Sequence, residues 1–204
     1  QAVDKVTISV VKGEAVGLVG ESGSGKTTVG RCLMRLEHPT AGAVTLDGQD
    51  VTELSATEMR RMRSRMQIVF QDPFDSVNPR WTIANILDEP LRVHEGGDKA
   101  ARKQRAVDAL KQVDLDPSMM MAKPRDLGAS TLQRINIARA LICNPDFVVL
   151  DEPTSVLAPR ARNSLIALLA RLQKELGISY LFISHDLTTV RYLCQRVAVM
   201  YLGQ

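Results

Sequence analysis

Residues 20–28 read GESGSGKTT and satisfy the phosphate-binding pattern G-x-x-x-x-G-K-[ST] at every required position. Each residue type has a physical task at its place. Gly20, Gly23 and Gly25 let backbone N–H groups turn inward around phosphate oxygens, with Glu21, Ser22 and Ser24 spacing them, and a helix that follows presents its positive N-terminal end to the same anion. Lys26 is expected to reach the β- and γ-phosphates of a nucleotide. Thr27, followed by Thr28, offers a hydroxyl to Mg²⁺, which accepts hard oxygen ligands and usually arrives with the nucleotide.

Three further positions suit phosphoryl chemistry. The apolar run 147–150 ends in Asp151 and Glu152, where Asp151 is expected to hold the Mg²⁺ shell and Glu152 to orient, or accept a proton from, an attacking water. His185 follows the apolar run 180–183 through Ser184, so an imidazole there lies within reach of a γ-phosphate and of the acid that positions water. Gln71 ends the run 66–70, where its amide is expected to touch the Mg²⁺ and the water. The expected catalytic set is therefore Glu152, His185 and Gln71, with Thr27, Gln71 and Asp151 around the metal.

The elements that must position these groups follow from hydrophobic period. Residues 15–19 read as a buried strand before the loop, and 27–36 as the helix behind it. Runs at 66–70, 147–150, 180–183 and 197–200 suit central parallel strands, several of them separated by helical stretches such as 160–176. Val6, Ile8 and Val10 alternate with Thr7 and Ser9, and Val44 and Leu46 precede an Asp47-Gly48 turn, so an antiparallel β layer is expected beside the α/β core. Between Gln71 and Asn144 the pattern turns helical. Val107, Leu110 and Val113 share a face within 99–113, and Leu132, Ile135 and Ala138 mark a helix that stops at Asn144-Pro145. The organisation expected is one domain over 1–204, with a helical subdomain, 72–144, inserted in the core.

At 204 residues, 45% hydrophobic, 24% charged and a formal net charge of +3, the chain is an ordinary globular one with no basic run that would argue for nucleic acid. Arg60, Arg61, Arg63 and Arg65 interleave with Met59, Met62 and Met66 at helical spacing, which suits a solvated helix face over an apolar one. Cys32, Cys143 and Cys194 lie far apart without a C-x-x-C pair, which argues against a disulfide framework or a zinc site. His38 and His94 read as surface residues. No apolar run approaches the roughly 20 residues needed to span a bilayer and the N-terminus lacks a signal-peptide layout, so a membrane role is expected to come through a partner.

Together the phosphate loop, Gln71, the run Asp151-Glu152-Pro153-Thr154-Ser155 and Ser184-His185-Asp186 resemble, in order and over nearly the whole chain, the ATP-binding cassette family. VFQDPFDSVNPR at 69–80 and NILDEPLRVH at 85–94 resemble more narrowly the ATPase subunits of peptide and nickel importers. The resemblance implies a P-loop core with a RecA-like parallel sheet, ATP and Mg²⁺ as ligands, and ATP hydrolysis that powers solute import. It implies as partners a second cassette subunit, identical or different, transmembrane permease subunits at the cytoplasmic face of the membrane, and through them an extracytoplasmic solute-binding protein. It also places a groove for a permease helix at 74–80. A regulatory or non-transport cassette with little turnover of its own is the other reading.

Two departures stand out. Where the family carries LSGGQ, which acts on the nucleotide of the partner subunit, this chain has Leu127-Gly128-Ala129-Ser130-Thr131. Where a second trans-acting segment ends in aspartate, it has Ala158. The family's adenine-stacking aromatic normally precedes the first strand, so the chain resembles a cassette trimmed at both ends.

Overall fold

A computed structural model describes residues 2–204. Its centre is a five-stranded, wholly parallel sheet built from β1 (Ala15–Gly20), β4 (Met66–Val69), β5 (Phe147–Asp151), β6 (Ser179–Ser184) and β7 (Arg196–Met200), in the order β4-β5-β6-β1-β7. The central strands β1, β5 and β6 are apolar runs because both their faces are covered, whereas β4 and β7, expected as central strands, form the two edges, and Val197 and Val199 of β7 are exposed. Alternate residues feed two separate cores. Ala15, Val19, Val69, Val148, Leu150, Tyr180 and Phe182 point into one, and Val16, Leu18, Met66, Val149, Leu181 and Ile183 into the other.

The first core is closed by α3 (Ile83–His94), α4 (Lys99–Gln112), α5 (Ala129–Leu141), α6 (Pro159–Leu176) and α7 (Leu187–Leu193). Helices α3 to α5 all lie between β4 and β5 in sequence, as the helical periodicity predicted. Their buried residues Ile86, Leu87, Leu110, Leu132 and Ile135 belong to the same cluster as Val148 and Leu150 of the sheet. The second core is covered by α1 (Lys26–Leu33), by α2 (Ala56–Met62) and by a hairpin of β2 (Thr45–Leu46) with β3 (Gln49–Asp50). That hairpin turns on Asp47 and Gly48 at φ 50° and 78°, the two left-handed residues that a tight hairpin requires and that an Asp-Gly pair adopts readily.

Several expectations need correction. Val6, Ile8 and Val10 do turn inward against the second core while Thr7 and Ser9 face out, but this stretch pairs with no strand; the antiparallel layer is the β2–β3 hairpin alone among the described residues. The helix behind the phosphate loop ends at Leu33, and Leu36 is exposed. Met59 and Met62 form the buried face of α2, but the helical spacing does not extend to Met66, which opens β4 as the run 66–70 predicted; Arg65, between the two elements, pairs with Asp146 at 2.7 Å and with Asp47.

Helix ends show the consequence of the two sequence departures. Ser55 caps α2 through a capping box with Glu58, and Asp98 caps α4, whereas Gly128 at the start of α5 and Ala158 at the start of α6 make no side-chain cap. Alanine is among the poorest residues at an N-cap and glycine is intermediate. Ala158→Asp is therefore expected to stabilise the protein by about 1 kcal/mol, raising its melting temperature by roughly 2–4 °C, while Gly128→Ser contributes only a few tenths of a kcal/mol. Thermal unfolding of both variants checks this, and a lower melting temperature for Ala158→Asp would contradict the capping account.

Candidate nucleotide site

A parallel sheet delivers the C-terminal ends of its strands to one edge, where open α/β folds bind ligands. Register fixes which residues arrive together. Val19 lies opposite Ser184, Asp151 opposite Ile183 and Val69 opposite Leu150, so the phosphate loop, the two acids, His185 and the segment of Gln71 all leave the sheet on the same side.

The loop after β1 has the form expected of an anion cradle. Gly23 and Gly25 have φ of 81° and 101°, and a Cβ at Gly25 would stand 2.3 Å from the carbonyl oxygen of Ala2, so only glycine fits. Gly25 caps α1 without a side-chain bond and the first turn of α1 carries no acid, leaving its unpaired amides and positive dipole end for an anion. Lys26, only 5% exposed, donates from Nζ to Gly20 O at 2.9 Å and Glu21 O at 2.7 Å, with Ser24 Oγ at 3.4 Å. The ammonium thus braces the loop it extends from. Ser24 is buried, Glu21, Ser22 and Gly23 are exposed, and Thr27 and Thr28 are half-buried on the first turn of α1.

Thr27 Oγ1 donates to Asp151 Oδ1 at 3.1 Å, bringing two hard oxygens together from β5 and α1. Burial pushes the Asp151 carboxyl up; the Thr27 hydroxyl opposes this and the charge of Glu152 adds to it. A desolvated carboxylate beside a hydroxyl suits a divalent cation, and the pair fits Mg²⁺ carried in with a nucleotide. No cluster of three or more His, Cys, Asp or Glu stands ready for a metal among the described residues, so a nucleotide's own oxygens have to complete such a shell.

Glu152 sits in the left-handed region at φ 45°, an uncommon conformation for this residue type and one that recurs at functional sites. Its amide bonds Ile183 O at 3.0 Å, which ties it to the end of β6, and its Oε2 lies 3.1 Å from His185 Nδ1. A carboxylate partner makes Nδ1 the protonated nitrogen and leaves Nε2 directed elsewhere. His185 itself is exposed, and the loop that carries it is anchored by Asp186, which caps α7 and pairs with Arg162 of α6 at 3.0 Å. The sequence reading did not single out Arg162; its spacing from Ala158 was the available signal.

Gln71 is exposed two residues beyond Val69, on the correct edge, without a hydrogen bond to the other site residues. Beside it lies a cavity of about 270 Å³ between β4, α3 and α5, lined by Ile68, Phe70, Ser76, Glu89, His94 and Arg139 among others. Of the segment 74–80, to which the resemblance assigns a permease groove, Ser76 lines this cavity and Phe74 is exposed. His94 is half-buried rather than a surface residue: burial, reinforced by the Arg60 guanidinium, pushes its pKa down. The cysteines are unreactive in character, with burial pushing Cys143 up to about 11 and Cys194 up to about 12.

The upward shift of Asp151 has a definite sign in stability. A carboxylate whose folded pKa is raised destabilises the fold at neutral pH, and this penalty disappears as pH falls through that pKa. Asp151→Asn is expected to melt at a higher temperature than the parent at pH 7.5 without nucleotide, with the gain shrinking in acid, and to lose Mg²⁺-dependent stabilisation by ATP. Melting curves across pH with and without Mg²⁺ and ATP check both arms.

Comparison with known proteins places this geometry. The family model described as "ABC transporter" matches residues 3–155. A putative peptide import ATP-binding protein of Brucella ovis is 52% identical over 201 residues, covering 98% of this chain and 63% of that protein. The oligopeptide transport ATP-binding protein AppF of Bacillus subtilis is 44% identical over 205 residues, covering 100% and 62%. The chain thus spans under two thirds of the length of these relatives. Among solved structures, the dimeric ATP-binding cassette MJ0796, in a post-hydrolysis state bound to ADP and Pi, superposes with a TM-score of 0.89 at 30% identity over 99% of this chain and 87% of that one. A family match over three quarters of its length, beside a relative 52% identical over 98% of it, shows that this chain belongs to the ABC transporter family.

Proposed function

We propose that the chain is the ATP-binding and hydrolysing part of an importer that takes up peptides or a related small solute. The observation that carries this reading is the meeting, at one sheet edge, of the braced Lys26 loop, the Thr27–Asp151 pair and the Glu152–His185 pair. Relatives named for peptide and oligopeptide import support the solute class. No helix of the described residues is long and apolar enough to cross a membrane, which suits attachment at the cytoplasmic face through permease subunits, served in turn by an extracytoplasmic solute-binding protein. In this reading 1–204 is one cassette domain and 72–144 its helical subdomain.

The residues divide the work. Backbone amides of Gly23 to Thr28 and the Lys26 ammonium bind and neutralise the phosphates of ATP. Thr27 and Asp151, with Gln71, would hold Mg²⁺, which when bound supplies further charge neutralisation. Glu152 orients the attacking water or takes its proton, and His185 fixes Glu152 from Nδ1 while Nε2 faces the γ-phosphate. Phosphoryl transfer asks mainly for such positioning and charge stabilisation. Lys26→Ala is expected to weaken ATP binding, and Glu152→Gln to leave binding intact while slowing hydrolysis about a hundredfold or more. Parental turnover by Glu152→Gln would remove Glu152 from its role.

A second reading is favoured by one observation: the residues serving the chain's own nucleotide are intact, whereas Gly128 to Thr131 and Ala158, the places the family uses across its dimer, are altered. We infer an unequal pair in which this chain's loop turns over against a partner with an intact signature, while the opposite nucleotide is nearly idle. A Cβ at Gly128 meets nothing within 4 Å, so a serine can be restored there without strain. Removing a preorganised donor typically costs about a hundred- to a thousandfold in rate. The combination Gly128→Ser, Ala129→Gly, Ser130→Gly, Thr131→Gln and Ala158→Asp should therefore raise hydrolysis by the chain alone by about that factor, with unchanged ATP affinity. Equal, brisk turnover by parent and restored chains would overturn the unequal pair.

A further inference from the structure

Both halves of the Glu152–His185 pair hang from the start of α6. Glu152 reaches it along the chain: its carbonyl accepts from Ser155 N at 3.2 Å and from Ser155 Oγ at 3.0 Å, Leu157 N donates to Thr154 O, and the helix begins at Pro159. His185 reaches it through the next residue. Asp186 Oδ2 accepts from Arg162 Nη1 of α6 at 3.0 Å, while its Oδ1 accepts from Thr188 N at 2.9 Å to cap α7 and its amide donates to Ser184 Oγ. The imidazole itself is exposed and has Glu152 as its one hydrogen-bond partner among the described residues. Its distance from Glu152 is therefore set by the backbone that carries it.

The Arg162–Asp186 pair suits that task better than it suits stability. Its side chains are 32% and 24% exposed, so water screens their attraction only in part. Burial pushes the Asp186 carboxyl up, but the Thr188 and Thr189 amides and the Arg162 guanidinium outweigh this and hold it below the usual carboxylate range, so the pair stays ionised at neutral pH. Arg162 Nε, by contrast, is buried with no partner, a cost that an apolar side chain would avoid. Arg162 stands one turn after Ala158, whose side chain offers no carboxylate to compete for the guanidinium. Leu165, Ile166 and Leu169 of the same helix are buried in the first core, so the guanidinium projects from a fixed rod toward the short connection between β6 and α7.

We propose that Arg162 is a positioning residue for ATP hydrolysis: by holding Asp186 against α6 it sets the His185 backbone where Nδ1 meets Glu152 and Nε2 is turned to the phosphate. Without the pair Asp186 still caps α7, but among the described residues the connection carrying His185 loses its side-chain tie to α6. A neutral imidazole released from the carboxylate exchanges its Nδ1 proton for the Nε2 tautomer, and Glu152 loses the donor that orients it. The inference rests on the reading above that Glu152 and His185 serve hydrolysis.

The test removes the pair from either side. Arg162→Met keeps the aliphatic stem without a donor, and Asp186→Asn keeps the oxygen that caps α7 without the charge. Ring ¹⁵N shifts of His185, assigned by their loss in His185→Ala and recorded at about pH 9, above the ordinary histidine range, report which nitrogen carries the proton. Expected are an Nδ1-protonated ring in the parent, a tautomer mixture in both variants, kcat lower by about tenfold, KM for Mg²⁺-ATP within about twofold, and a double variant within about twofold of the slower single one. An Nδ1-protonated ring retained in both variants, turnover equal to the parent's, or rate losses that multiply in the double variant would overturn the proposal. If Arg162→Met fails to fold, Asp186→Asn decides alone by tautomer and kcat. A parent that binds ATP without hydrolysing it would sink the functional reading instead, and the tautomer comparison would still decide the positioning.

Discussion

Burial of both faces of the β1, β5 and β6 strands is the constraint on which the rest depends. A sheet covered on both sides has only its edges and strand ends left for polar chemistry, and a parallel sheet collects all the C-terminal ends together. Ala15 and Val16, or Val148 and Val149, go to opposite cores, so the strands cannot slip in register without exposing one set. That fixed register is what sets Asp151 against Ile183 and Val19 against Ser184, and so brings the phosphate loop, the acids and the histidine within hydrogen-bonding distance.

The site stores some unfavourable terms in that frame. Asp151 is desolvated, Glu152 occupies a left-handed conformation, and Lys26 is buried against loop carbonyls. Each would be costly in isolation. The surrounding core supplies the rigidity that holds them, and the arrangement exchanges stability for groups aimed outward at one edge. The uncapped starts of α5 and α6 are of a different kind: Gly128 and Ala158 make no side-chain bond to the phosphate loop, the Thr27–Asp151 pair or the Glu152–His185 pair.

The helices between β4 and β5 connect to the sheet in two ways. Apolar residues such as Leu132 and Ile135 merge with the sheet's first core, and polar rungs from α5 fasten the loop after β4. Apolar packing alone tolerates sliding, because it is non-directional; hydrogen bonds to the carbonyls of 70, 73 and 76 do not. The combination joins the Gln71 segment to the cavity beside α3 more stiffly than either contact would.

How much of this was legible in the sequence varies with the range of the interaction. The phosphate loop, the strand that ends in Asp151-Glu152, the order of elements and the Asp47-Gly48 turn were readable because local residue types decide them: glycine for left-handed backbone, apolar runs for doubly covered strands, acids at a strand end. The structure alone decided that 6–10 runs beside the sheet without pairing, that His94 is half-buried in a cavity wall, and that Gln133, Asn136 and Arg139 reach the carbonyls of 70, 73 and 76. Sequence spacing determines which residues share a face of one element. Which carbonyl stands opposite that face, 63 residues away along the chain, depends on how whole elements pack, and only the assembled tertiary structure contains that information.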